Sequence, residues 1–380
     1  MNWSTSTKSK TRKTTSSGRE SKLQTISVST QLLVMNVTFL NKQGRVTVEC
    51  REGETLLQAG LRQGVPLPYA CGAGVCSTCV ARAKPGTVNN NWLQAPGGQN
   101  LNTAKGECLL CQCEPVADCE ILVPGKAVLN ENSGESPQHQ SGQLGNLMEV
   151  APGVATFELA LDQPINFLAG QYLLLRLPAM EGYRPYSMTS FSAHAQKPTF
   201  VIKCLPTGSF SKVLFNGSFK TVRVDVFGPM GKAIFDPDEG RDLACMVGGS
   251  GIAGIMSNLH QASAIGYFFD HKLTMVFGVR QPKDFFFLDA LKEIQESAPA
   301  NIDIHLAVSE LSDANKMPVE LSGLPVWSGF VHEVAERVMG QDLLGRLGFL
   351  GGPPAMLTGA LRLLLSAGVP VDDIRYDKFG

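Results

Sequence analysis

Pro66-Leu67-Pro68-Tyr69-Ala70-Cys71-Gly72-Ala73-Gly74-Val75-Cys76-Ser77-Thr78-Cys79 carries three cysteines as C-x4-C-x2-C, and Cys108-Leu109-Leu110-Cys111-Gln112-Cys113 follows about thirty residues on. Three thiolates on one loop plus one distant thiolate is the spacing of a [2Fe–2S] cluster. Two irons need four soft thiolates, and Gly72 and Gly74 let the loop wrap closely with backbone N–H groups aimed at the sulfurs. Cys111 is the favoured fourth ligand beside Cys71, Cys76 and Cys79, which leaves Cys108 and Cys113 as packed thiols. The rival is a structural zinc site, which normally uses two similar short-spaced pairs. Rieske ligation would need histidines paired with these cysteines, and none of the six lies one or two residues from them.

Upstream, Val37 and Phe39 alternate with polar residues, and Val46, Val48 and Cys50 do the same after the Asn41–Gly44 turn; this predicts a β-hairpin. Thr55 then caps a short helix through Leu57 and Leu61. Downstream, the polar, Gly- and Pro-rich stretch 125–142 reads as a linker. Short apolar runs in 143–240 (Ala155–Leu161, Tyr172–Leu177, Thr199–Leu205, Val222–Phe227), parted by Pro and Gly, suggest a small antiparallel barrel. From 241 to 380 the rhythm becomes strand, helix, strand: Ala244–Val247, Leu273–Val279, Ile302–Val308, Leu347–Leu350 and Ile374–Tyr376 alternate with helical stretches near Phe287–Ile294, His332–Val338 and Ala355–Leu365. That alternation predicts a parallel sheet covered on both faces.

Two further motifs carry chemistry. Arg184-Pro185-Tyr186-Ser187 sets a cation for phosphate, a rigid turn, an aromatic face and a hydroxyl side by side, which suits a flavin. Alone it reads equally as a proline turn with a surface arginine. Val247-Gly248-Gly249-Ser250-Gly251-Ile252-Ala253-Gly254 sits at a strand-to-helix junction, where glycines admit close backbone approach and the helix start attracts a diphosphate. A lone glycine run is no more than a tight turn, but its place after the flavin motif points to a nicotinamide nucleotide.

With these motifs in view, residues 35–124 resemble a plant-type ferredoxin, on Glu54-Thr55-Leu56-Leu57, the Pro66–Cys71 stretch, the cysteine loop and Leu110-Cys111-Gln112. The remainder resembles the ferredoxin–NADP reductase superfamily, whose flavin signature is R-x-Y-S. That resemblance implies that Arg184, Tyr186 and Ser187 meet the flavin diphosphate, the isoalloxazine ring and the region of its reactive nitrogen, with Pro185 in the turn. It adds Lys203, Gly208 and Ser211 from a second phosphate-contacting stretch. It also makes Gly248, Gly249, Ser250 and Gly251 the nicotinamide-nucleotide loop, matches Arg280 and Asp284 to a G-x-R-x-x-x-D stretch, and puts Gly352 and Pro353 beside the nicotinamide. Ser187, Ser250 and Phe379 are the implied residues of the reacting face; for Phe379 an aromatic packed in the core is the alternative.

Two positions depart from the family. Gly351-Gly352-Pro353-Pro354 stands for the usual C-G-P-P, and the missing thiol predicts slower flavin reduction than in relatives with Cys. Ser309-Glu310 stands where NADP-using members carry Ser-Arg; a carboxylate would repel the 2′-phosphate, so NADH is expected unless Glu310 is only a solvated surface acid.

The order of modules resembles the reductase component of bacterial multicomponent oxygenases, above all aromatic-ring dioxygenases. It implies electrons passing from NADH through FAD and the [2Fe–2S] cluster to a terminal oxygenase or Rieske-type ferredoxin, in aromatic compound degradation. FMN is disfavoured because FMN-using relatives usually carry the ferredoxin at the other end. Two rivals remain: a reductase serving deoxysugar dehydration, and a non-catalytic carrier with a decayed nucleotide domain. The expected fold is multidomain: an α+β ferredoxin module of β-grasp type, an antiparallel β-barrel flavin domain and an α/β doubly wound parallel-sheet nucleotide domain.

Composition agrees. The chain has 380 residues, 43% hydrophobic and 18% charged, with 33 bases against 34 acids, which excludes a single small module and gives no electrostatic case for nucleic acid. No run of about 18 apolar residues occurs, so no membrane span is expected. Ten cysteines in a chain able to bury its own core, with no apolar signal segment at its start, predict a reducing cytoplasm; a monomer is expected. Residues 1–34 hold six bases and one acid among many Ser and Thr, and read as a disordered tail, with a targeting segment or a partner contact as the other readings.

Overall fold

The hairpin expected around Asn41–Gly44 forms because its alternating apolar residues share one buried face. Strand β1 (Val34–Asn41) pairs antiparallel with β2 (Gly44–Arg51) in a register that sets Val37 against Val48 and Phe39 against Val46. The computed structural model describes residues 34–125, 136–178, 180–206, 208–216, 221–310, 319–340 and 343–378. The tail call on 1–34 therefore falls, but for Val34, outside the described residues, as do most of the linker and Phe379.

Helix α1 (Leu56–Arg62) starts at Thr55, whose hydroxyl accepts from Gln58 N–H while the Gln58 side chain accepts from Thr55 N–H. The chain continues through β3 (Val80–Ala83), β4 (Val88–Asn90), β5 (Glu107–Leu109), β6 (Cys113–Pro115) and β7 (Cys119–Leu122). The main sheet runs β2-β1-β7-β3-β5, with β1 and β7 parallel, and β4 pairs with β6. This is the α+β ferredoxin module.

The second module holds β8 (Gln138–Ala151), β9 (Val154–Leu161), β10 (Tyr172–Arg176), β11 (Arg184–Ser187), β12 (Thr199–Lys203), α2 (Ser209–Phe215) and β13 (Val222–Met230). Its antiparallel order is β11-β10-β13-β8-β9-β12, and a bridge between Met188 and Phe200 joins the two ends into a barrel. Strand β8 begins inside the stretch whose composition reads as linker. Of its 14 residues only Gly142, Leu144 and Ala151 are buried, so it shows no apolar alternation to read.

The third module comprises β14 (Leu243–Gly248), α3 (Ala253–Ala264), β15 (Leu273–Val279), α4 (Leu288–Ser297), β16 (Ile302–Val308), β17 (Glu320–Leu321), β18 (Leu324–Ser328), α5 (Val331–Met339), β19 (Leu347–Gly351), α6 (Pro354–Ser366) and β20 (Ile374–Tyr376). The order β17-β18-β16-β15-β14-β19-β20 is parallel except for the β17–β18 pair. Leu259 of α3 and Leu291 of α4 pack on one face of the sheet, and Val334 of α5 and Leu357 of α6 on the other. The sheet is doubly wound. The sequence reading passed over β18, where Pro325 interrupts an otherwise apolar run. Among the described residues no helix is long and apolar enough to cross a membrane.

The first two modules share one core. Tyr172, Leu174, Phe227 and Met230 of the barrel belong to the same apolar cluster as Phe39 and Leu110. Apolar area removed from water at this seam contributes about 25 cal/mol per Å2 to keeping the modules together. The polar seam is equally specific. The buried Glu54 carboxylate accepts from Arg62 Nε at 2.6 Å and from Arg51 N–H at 2.9 Å, and His139 Nε2 of β8 stands 3.1 Å away.

Candidate functional site

The loop between α1 and β3 brings Cys71, Cys76 and Cys79 together, and the turn after β5 adds Cys111; all four are buried. The thiols stand as two pairs. Cys71 N–H donates to Cys76 Sγ at 3.4 Å, and the sulfurs of Cys79 and Cys111 are 3.3 Å apart. Ala73 N–H donates to Cys71 Sγ at 3.3 Å, and Gln112 Nε2 approaches Cys111 Sγ at 3.5 Å. A hydrogen bond from the Cys71 thiol, opposed by burial, brings Cys76 down to about 5. Cys111 is lowered in the same way, first by the Cys79 thiol. Backbone and side-chain donors turned toward sulfur are what thiolates need and neutral thiols do not. Among the described residues no three His, Cys, Asp or Glu side chains converge on a single ion. Two separate thiol pairs suit two irons better than one zinc. Cys108 and Cys113 hydrogen-bond each other inside the core and take no part in this set.

Beside the cluster loop opens a cavity of about 1330 Å3. The barrel lines it with Arg184, Pro185, Tyr186 and Ser187 on β11, and with Lys203, Gly208 and Ser211 around the start of α2. The third module lines it with Gly248, Gly249, Ser250 and Gly251 after β14, Arg280 after β15, and Gly352 and Pro353 after β19. Every expected flavin or nucleotide residue that is described thus faces one space, at the carboxyl ends of the central strands where the strand order reverses on either side of β14.

Local contacts hold these groups. Burial pushes the Tyr186 hydroxyl upward, and its ring packs on Phe210 with centroids 5.0 Å apart. Arg184 Nη1 donates to the carbonyl of Tyr183 at 2.9 Å, and among the described residues no carboxylate pairs with its guanidinium. An uncompensated guanidinium in a large cavity fits a diphosphate. Ser211 Oγ accepts from Leu205 N–H at 3.2 Å, which fixes the entry to α2. Arg280 and Glu310 face each other at 3.6 Å on the rim.

The departure at position 351 has a steric basis. A Cβ on Gly351 would stand 2.1 Å from the Gly251 carbonyl oxygen, and one on Gly251 would stand 2.3 Å from Gly352 N. The turns after β14 and β19 touch backbone to backbone, which leaves no room for a thiol in this arrangement.

Residues 39–116 match the 2Fe-2S iron-sulfur cluster binding domain, 141–235 the oxidoreductase FAD-binding domain and 246–360 the oxidoreductase NAD-binding domain. A ferredoxin–NAD(P)+ reductase of Metapseudomonas resinovorans is 30% identical over 346 residues, covering 90% of this chain and 99% of that protein. The chain belongs to this family of iron–sulfur ferredoxin–NAD(P)+ reductases. The ferredoxin–NAD+ reductase component of an alkene monooxygenase system from Xanthobacter autotrophicus is also 30% identical, over 87% of this chain and 97% of that protein. Among solved structures, the ferredoxin reductase in carbazole 1,9a-dioxygenase superposes with a TM-score of 0.77 at 27% identity, over 92% of this chain and 99% of that one. The reductase is an oxidoreductase with a [2Fe–2S] cluster, FAD and a nicotinamide nucleotide as its redox groups.

Trp92 and Asp377 also line the cavity, and no role was expected of either. Trp92 comes from the ferredoxin module. Asp377 follows β20 and accepts from Lys232 N–H at 3.1 Å, and burial lifts its carboxyl to about 7. The fold delivers both over long chain distances.

Proposed function

We propose that this reductase draws its electrons from NADH and delivers them through the cluster to a terminal oxygenase or Rieske-type ferredoxin in the breakdown of an aromatic compound. One observation carries the internal route: Ala73 and Val75 of the cluster loop line the same cavity as Ser187 and Ser250, so the iron–sulfur and flavin sites share a wall. Bound FAD supplies acceptance of a hydride and release of single electrons.

The chain's own residues do the rest. Arg184, Lys203, Gly208 and Ser211 hold the flavin phosphates, and Tyr186 and Pro185 shape the wall for its ring. Gly248, Gly249, Ser250, Gly251, Gly352 and Pro353 receive the nicotinamide nucleotide, and Ser187 and Ser250 present hydroxyls at the reacting face. Phe379 keeps its proposed place against the flavin on resemblance alone. Cys71 with Cys76 holds one iron, and Cys79 with Cys111 the other. Glu310 occupies Arg280 and opposes a 2′-phosphate, which supports NADH over NADPH.

The names of the relatives support an oxygenase-linked acceptor. A monomeric working unit is part of this reading. Ten cysteines, none of them in a disulfide, support a cytoplasmic setting.

Rapid mixing with NADH tests the reading. Flavin bleaching followed by cluster reduction is expected, with a lower KM for NADH than for NADPH. No bleaching would leave only a carrier, and a lower KM for NADPH would overturn the coenzyme assignment.

A further inference from the structure

Trp92 is a wall residue of the flavin cavity that comes from the iron–sulfur module and belongs to no motif. It follows β4 in a turn fixed at both ends: Trp92 N–H donates to Asn90 Oδ1 at 3.0 Å, and Asn91 N–H donates to the Gln112 carbonyl at 2.8 Å. Its backbone is therefore tied to the segment that carries Cys111. One edge of the indole lies against the cluster loop, where a Cβ on Gly74 would meet Trp92 Cε3 at 3.1 Å and the Gln112 amide at 3.0 Å. Gly74 has φ +84°, so the hydrogen there serves both the turn and the approach of the ring. The indole also meets the guanidinium of Arg184, whose carbon is 5.9 Å from the ring centroid.

Arg184 needs such a guide. Its hydrogen bonds run to the carbonyls of Tyr183 and Glu181, and no carboxylate among the described residues neutralises or orients it. An aromatic face attracts a guanidinium without satisfying its N–H groups, so the donors stay available to an anion.

We propose that Trp92 is a positioning residue of the flavin site, supplied by the iron–sulfur module, which holds the Arg184 guanidinium ready for the flavin diphosphate. The proposal rests on the reading that Arg184 meets that diphosphate. It makes FAD affinity a property of two modules, because the ring that aims Arg184 is seated on the cluster loop.

A double-mutant cycle on the full-length iron–sulfur protein tests it, with the dissociation constant of FAD read by quenching of flavin fluorescence in deflavinated samples. Trp92→Leu is expected to weaken FAD binding about threefold to tenfold, and Trp92→Phe, which keeps a ring, to recover most of that loss. In an Arg184→Ala background, Trp92→Leu is expected to add almost nothing. Cluster absorption per chain, unchanged in each variant, shows that the ferredoxin module is intact. If Trp92→Leu loses the cluster, the comparison of Trp92→Phe with wild type in both Arg184 backgrounds decides, and a loss of the same size in both overturns the proposal. So does a Trp92→Leu variant that binds FAD like wild type, or one that weakens binding equally with and without Arg184. FAD binding unchanged by Arg184→Ala would instead overturn the underlying assignment of Arg184.

Discussion

The cluster loop and the cavity beside it are assembled on opposite plans. Three of the four candidate cluster ligands lie within Cys71–Cys79, and the pairing of β3 with β5 inside the same module brings Cys111 to them. The cavity takes its wall from Ala73 at one end of the chain and from Asp377 near the other, and exists only when three modules are docked. A site made within one module tolerates change in the others. A site made at a junction is exposed to every contact that sets the junction.

The sharpest way to break this contrast is Cys79→Ser. Loss of the cluster's visible absorption is expected, with reduction of cytochrome c falling by about 100-fold or more while reduction of ferricyanide, which the flavin can serve directly, changes little. Equal losses with both acceptors would show that the cavity depends on the cluster loop for its integrity.

Glu54 tests the junction. Burial raises its pKa, but hydrogen bonds from His139, Arg62 and the Arg51 N–H outweigh this and hold it at about 2 against an ordinary 4.5. The depressed value means that its stabilising contribution, about 3 kcal/mol, is complete above pH 4.5 and drains as pH falls toward 2. Urea midpoints of wild type and Glu54→Gln should lie apart at pH 6 and draw together as pH falls through 3 toward 2; a constant separation would refute this account.

Smaller effects are expected inside the cavity. Gly351→Cys must part the two facing turns, and the KM for NADH should rise about tenfold. Flavin reduction at saturating NADH, read by rapid mixing, then isolates what a thiol does; an unchanged rate would remove the expectation that its absence slows this reductase. Glu310→Ser releases Arg280 and should shift the ratio of kcat/KM for NADH over NADPH by about fivefold toward NADPH, and no shift would make Glu310 a bystander.

Legibility followed the same division. The convergence of Cys71, Cys76, Cys79 and Cys111 could be expected from spacing because metal geometry constrains neighbours in sequence. The candidate flavin and nucleotide residues could be named only from motif order and resemblance, and the fold sets those described around one space. Strand β8 escaped because its side chains are mostly solvated, and Trp92 because nothing near it in sequence announces a cavity wall; Asp377 stands two residues before the expected Phe379 but carries no recognisable role of its own. Buried alternation marks strands, and chemistry marks ligands, but a residue recruited across a module junction leaves no local pattern.

The contact between Gly251 and Gly351 makes the two positions interdependent. Once two loops have closed to a separation that only hydrogen atoms permit, a single codon change at 351 arrives in a space already taken by the Gly251 carbonyl. Any side chain at 351 requires the opposing loop to withdraw first. Substitutions at the two positions should therefore be coupled rather than independent.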